Sequence, residues 1–298
     1  MSHPEAVSTI ESRAIPNTVV FSFVKALAQE LSKGRVDLPS VPDIVIQVQR
    51  VLANENVSND IVVKVLGSEP VLASKLLSMA NSAALNASGR KIADLRMAVA
   101  RVGFNIVRSA ALSFAVEQLR CAAQYKHLVP ILDGLWKHSV QIAALSHVVA
   151  RRFTTLNGDT ALLAGLMHNV GRIYLLTRAS SHPALFADQL TYQSIVRDWH
   201  TNVTKALLEN WQVAEEIVDA VSSYEDLNRE MRGPVTLTDV LALASLLQQQ
   251  HKAHGAMTEP TEPLVWALKR LQVRYVDCQS VIDESASDIE DLKTVLGG

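Results

Sequence analysis

The chain has 298 residues, of which 48% are hydrophobic, 19% charged and only 5% aromatic, with a formal charge of −2 at neutral pH. This composition excludes a disordered chain and supplies a core for one large domain or two ordinary ones. The near-zero charge gives no global attraction to nucleic acid or to an anionic membrane.

Much of the apolar content is Ala, Leu and Val, while Gly (12) and Pro (10) are scarce, so a mostly helical protein is expected. Residues 1–18 read as loose, and a first helix is predicted over about 19–33, stopped by Gly34. Leu38-Pro-Ser-Val-Pro42 is an extended link, and Ile44, Val45, Val48, Val51 and Leu52 then recur at helical spacing behind Pro42. After a polar turn, Ser58 is the expected N-cap of a short helix that ends at Gly67. Ser68 is the expected cap of the next helix, whose buried stripe would be Val71, Leu72, Leu76, Met79 and Ala80. A turn over 86–90 leads to a helix over about 92–102, stopped at Gly103, and a second over about 105–119 that is apolar nearly all round and therefore buried.

Two core helices are predicted over 128–153 and 160–177, with Asp159 capping the second. Helical patterns resume over about 185–222 and 236–250, and one or two last helices follow a Gly/Pro/Thr-rich stretch at 255–263. The acidic tail reads as a solvated surface helix. No strand alternation and no internal repeat is present. No signal-peptide pattern and no uninterrupted apolar run of the roughly 18 residues that span a bilayer are visible. Cys121 and Cys278 lie far apart without C-x-x-C spacing, which argues against a disulfide framework or zinc ribbon and fits a reducing cytoplasm.

Three histidines carry the chemical interest: His138 mid-helix in Leu135-Trp-Lys-His138-Ser, His168 at the end of Ala164-Gly-Leu-Met-His168-Asn169-Val-Gly171, and His200 in Asp198-Trp-His200. Two antiparallel neighbours in a bundle could bring such imidazoles together. Imidazoles with carboxylates would hold two metal ions about 4 Å apart and activate a water to attack phosphorus. Buried histidines satisfied by backbone or hydroxyl partners would look the same in sequence. Asp198, two residues before His200, would face another side of the helix.

Several runs together resemble the HDOD family, the HD-related output domain of bacterial signalling proteins. They are Leu38-Pro-Ser-Val-Pro42, Glu69-Pro70 through Ala80-Asn81-Ser82, Lys91-Ile92 with Ala98-Val-Ala-Arg-Val-Gly103, Leu135-Trp-Lys-His138-Ser, and Ala164 through Gly171. The resemblance spans about residues 36–250 and implies an all-α, HD-like helical bundle (126–250) with an N-terminal helical subdomain (36–125), preceded by 1–35 and followed by a helical extension over 251–298.

It also implies where a metal site would lie, and there the chain departs. Asn169 stands where catalytic relatives carry aspartate, Ser222 and Ser223 stand where many have a His-His pair, and Ser245 stands where the last aspartate ligand belongs. The positions of such a site are then His138, His168, Asn169, His200, Ser222, Ser223 and Ser245, with no carboxylate among them. Neutral groups cannot offset the charge of two divalent ions in a helical core. A single zinc on His138, His168 and His200 is the remaining metal arrangement.

The resemblance therefore implies a non-catalytic signalling protein without cofactor, acting on a protein partner or a regulatory nucleotide, cytoplasmic, and compatible with a homo-oligomer. The alternatives are a metal-dependent phosphohydrolase using a divalent metal, and a DNA-binding regulator. The last rests on five cations between Gly89 and Arg108, among them Arg96 and Arg101, around a helix–glycine–helix succession.

Overall fold

The computed structural model describes residues 17–33, 38, 42–54, 56–81, 90–229, 233–254 and 259–296. Every assigned element in them is helical, and no strand is present among the described residues. The predicted loose N-terminus, most of the 38–42 link, the turn at 86–89 and most of the stretch before the last helices lie outside the described residues.

Helix α1 (Asn17–Ser32) is followed by α2 (Asp43–Leu52), α3 (Asn59–Leu66) and α4 (Pro70–Ala80), all brought against α5 (Leu95–Cys121) or the helices after it. Leu72, Leu76, Met79 and Ala80 form the buried stripe of α4, but Val71 is 56% exposed because it falls a turn-edge away from that stripe. The cap of α4 is Glu69, which accepts from the Val71 amide, while the Ser68 hydroxyl turns back to the Val65 carbonyl. Ser58 holds the N-cap position of α3 without a side-chain bond. Asn81 closes α4 by a clamp: its amide donates to the Leu77 and Ile92 carbonyls and its oxygen accepts from the Ile92 amide. This fixes the chain entering α5, which is why an Asn is wanted there.

The two helices predicted on either side of Gly103 are continuous in space as α5, broken only at Gly103 (φ 77, ψ 170), a conformation that favours glycine. With 67% of its apolar window buried inside the protein, α5 sits as a core helix.

After a short 3-10 turn come α6 (Val129–Phe153) and α7 (Gly158–Met167). The cap of α7 is Asn157, whose side chain accepts from the Thr160 amide; Asp159 lies in the first turn instead. The helix predicted over 160–177 is interrupted at His168 and Asn169, and α8 (Val170–Ala179) begins beyond them. The predicted 185–222 segment comprises α9 (Pro183–Ala187), α10 (Gln189–Asn210) and α11 (Glu215–Ser223).

Helix α12 (Leu237–His254), α13 (Glu262–Leu271) and α14 (Cys278–Leu296) complete the chain. The acidic last helix is not simply solvated: Cys278, Val281, Ile282 and Ser285 are buried on the face it turns to α6.

Two close helix approaches set the bundle. A Cβ on Gly165 would lie 2.4 Å from the Cα of Ala143, so α7 rests backbone to backbone on α6. A Cβ on Gly171 would lie 2.2 Å from the His200 carbonyl oxygen, so α8 rests equally close on α10. His168 and Asn169 are the bend between these two contacts.

Candidate functional site

His168 is 2% exposed and closes α7. Its Nδ1 lies 2.6 Å from the Gly165 carbonyl. A carbonyl only accepts, so the ring proton sits on Nδ1 and Nε2 keeps its lone pair. Burial pushes the imidazole down to about 3, against the raising effect of the Gly165 bond. His138, reaching in from α6, meets it edge to face at 5.3 Å between ring centroids. Burial, then the charges of Lys252 and Arg172, lower His138 as well. Tyr224 also meets His168 edge to face, at 5.8 Å and an interplanar angle of 89°.

His200, 1% exposed on α10, belongs to a second cluster that the sequence reading did not foresee. Its Nε2 is 2.9 Å from Nη2 of Arg172 and 3.0 Å from Oε2 of Glu225. The same Nη2 donates to Oε1 of Glu225 at 3.1 Å, and the Tyr224 hydroxyl donates to that oxygen at 2.7 Å. Burial raises the Glu225 carboxyl, but His200, the Tyr224 hydroxyl and Arg172 outweigh it and hold it at about 2. The Glu225 side chain is 42% exposed and that of Arg172 30%, so the pair borders solvent. Beside the sequence candidates the structure thus places a carboxylate, Glu225, with Arg172 as its counter-charge.

The other sequence candidates lie differently. Asn169 is 1% exposed and its Nδ2 has no hydrogen-bond partner. The Ser222 hydroxyl donates to the Val218 carbonyl one turn back, and Ser245 accepts from Gln249 on its own helix. Ser223 is partly buried, and none of the three serines has a hydrogen bond to the imidazoles. Asp198 is bonded to its neighbour Arg197, away from His200. On the basic stretch, Arg96 is paired with Asp60.

These donors do not suit a pair of divalent ions. Nε2 of His200 already faces a guanidinium, a fixed cation that would repel a metal, and Asn169 offers an amide where a bridging carboxylate would be needed. Among the described residues no group of three or more His, Cys, Asp and Glu side chains is arranged to hold a metal ion.

A helical bundle with imidazoles at the bend between two helices defines the class of HD-like helical folds. The model of the HDOD domain matches residues 38–227, and the chain belongs to the HDOD family. A solved protein of Shewanella amazonensis SB2B, provisionally named a metal-dependent phosphohydrolase, is similar with a TM-score of 0.70 and 24% identity, covering 94% of this chain and 99% of its own. An HDOD domain protein of unknown function from Geobacter sulfurreducens has a TM-score of 0.60 and 23% identity, covering 94% and 98%. A Marinobacter aquaeolei VT8 protein, provisionally named a signal transduction protein, has a TM-score of 0.60 and 20% identity, covering 94% and 65%. An uncharacterised Treponema pallidum (strain Nichols) protein is 21% identical over 256 residues, 80% of this chain; the chain spans 47% of that relative's length. At these identities the solved structures establish the fold.

One consequence of burial is measurable. An unfolded His168 takes up a proton below about pH 6.5, whereas the folded one stays neutral to about 3. The unfolded state then binds more protons in that window, so stability falls as pH falls through it, by up to about 1.4 kcal/mol per pH unit. Urea unfolding at about pH 6.5 and pH 5 is expected to show a loss of roughly 1–2 kcal/mol, reduced in His168→Asn. Equal slopes in both proteins would contradict a buried neutral His168.

Proposed function

We propose that this chain is a non-catalytic signalling module of the HDOD family, which passes on a state by binding another protein or a small regulatory ligand. The supporting observation is the Arg172 guanidinium held between His200 and Glu225, a built-in cation beside imidazoles that lack the aspartate neighbour. The site's positive charge is supplied by the protein, its carboxylate is engaged, and Asn169 adds no charge. Such an arrangement is rigid and neutral overall, suited to holding a bend between α7 and α8 rather than to activating water. The names of the similar Shewanella and Marinobacter proteins accord with a role between phosphohydrolase-like and signalling proteins.

The second reading is a metal-dependent phosphohydrolase, favoured by the free Nε2 of His168 beside His138. The two separate in one assay. Protein purified without chelator and supplied with manganese is expected to hydrolyse bis-p-nitrophenyl phosphate no faster than His168→Ala. Turnover that His168→Ala abolishes would overturn the non-catalytic reading.

A further inference from the structure

A cavity of about 550 Å³ opens away from the histidine cluster, where the end of α2 and the Gly103 break of α5 meet the start of α7 and the turn between α10 and α11. Its size lies in the range of small-molecule sites, which favour such junctions between packed units. Two of the four positive-φ positions among the described residues, Gly103 and Gln212, line it. A Cβ at Gly103 would meet nothing within 4 Å, so the break leaves open space rather than a close contact. Gln212 is a non-glycine residue at φ 54, which holds the turn after α10 in an uncommon conformation at the cavity wall.

The polar lining is rich in donors. Arg108 spends one nitrogen on the Leu52 carbonyl and one on Asn105, while its Nε has no partner. A guanidinium carries five N–H donors; the Nε one is buried, and the two terminal nitrogens keep one N–H each beyond the bonds to Asn105 and Leu52. The oxygens of Asn54 and Asn157 already accept from the Asn56 and Thr160 amides, and their amide nitrogens have no acceptor among the described residues. The carboxylate in the lining, Asp159, lies 3.7 Å from Nδ1 of His147. Phe104 and Val102 give the same space an apolar, partly aromatic wall. The complement of this lining is a ligand with an acceptor-rich anionic head and a flat body.

We propose that the cavity binds a nucleoside monophosphate, with the phosphate on Arg108 and the base against Phe104. Bound there, the ligand would touch α2, α5, α7 and the α10–α11 turn at once and would fix their relative positions. The site shares no residue with the histidine cluster, so its failure would leave the reading of that cluster untouched.

The test is a thermal titration of the full chain with AMP. The Tm is expected to rise by about 2–4 °C at roughly tenfold excess over Kd. Adenosine alone and inorganic phosphate alone are expected to do less. Arg108→Gln removes the charged fork and is expected to weaken AMP by about tenfold or more. Ala214→Trp fills the space from an exposed position and is expected to abolish the rise, which keeps the test valid if Arg108→Gln folds poorly. Gly134→Ala, on α6 outside the cavity lining and with open space for its methyl, is expected to keep the rise. No rise in the unaltered chain, an equal rise in Ala214→Trp, a rise lost in Gly134→Ala, or an equal rise with inorganic phosphate would each overturn the proposal.

Discussion

Asp239→Ala is expected to destabilise the fold by about 3–5 kcal/mol, the cost of removing one partner from a buried ion pair. Asp239 is 2% exposed at the start of α12. One oxygen accepts from Arg229 at 3.0 Å, and the other accepts from Arg270 at 3.1 Å, from the Thr236 amide at 2.9 Å and from the Thr236 hydroxyl at 3.2 Å. The reach back to the Thr236 amide is one half of a capping box, here joined by two arginines. Those side chains are 14% and 18% exposed, so solvent cannot take over for the lost carboxylate. Arg270 also donates to the Gly233 and Pro234 carbonyls, which ties α13 to the chain entering α12. Asp239→Asn keeps an acceptor and should cost less than alanine. Urea unfolding measures both; a loss below about 1 kcal/mol for Asp239→Ala would contradict a buried, structurally required carboxylate.

Gly171→Ala is the second large effect, expected at about 2–3 kcal/mol. The added methyl would sit 2.2 Å from the His200 carbonyl oxygen, 2.4 Å from the Thr204 hydroxyl and 2.8 Å from the Thr204 amide nitrogen. Two of these are backbone atoms of a packed helix and cannot swing aside. The Gly171 amide also donates to the Thr204 hydroxyl, which donates in turn to the His200 carbonyl, so separating α8 from α10 strains both bonds. Gly134 on α6 is the contrast: a Cβ there meets nothing within 4 Å, so Gly134→Ala should stabilise by about 0.5–1 kcal/mol through helix propensity alone. Equal effects at the two glycines would contradict the close α8–α10 approach.

Much of the fold was legible because its signals are local. Apolar spacing at 44–52 and 72–80, and the stop at Gly103, follow from helix periodicity and glycine conformation, and the structure places them so. Capping was read less well. Ser68 and Asp159 are good caps by residue type, yet Glu69 and Asn157 do the work, since one residue's shift in the helix start decides which side chain reaches the free amides. The break at His168–Asn169 was invisible because residues 160–177 are apolar enough to read as one helix; only the meeting of α7 with α6 and of α8 with α10 bends them.

The histidine cluster was half legible. His138 and His168 come together as antiparallel helices suggested. His200 instead joins Arg172, the residue after the run Ala164–Gly171, and Glu225, which lies two residues beyond the departing pair Ser222-Ser223. Their partnership spans 53 positions of sequence, and a single sequence holds no signal that would pair them.

Under the proposed non-catalytic reading, the Arg172 guanidinium takes the place of a metal as the positive charge beside these imidazoles. Elemental analysis of the chain purified without chelator tests it most directly. Manganese, iron and zinc are each expected far below one atom per chain, with no change in His168→Ala. A stoichiometric metal that His168→Ala removes would contradict the account.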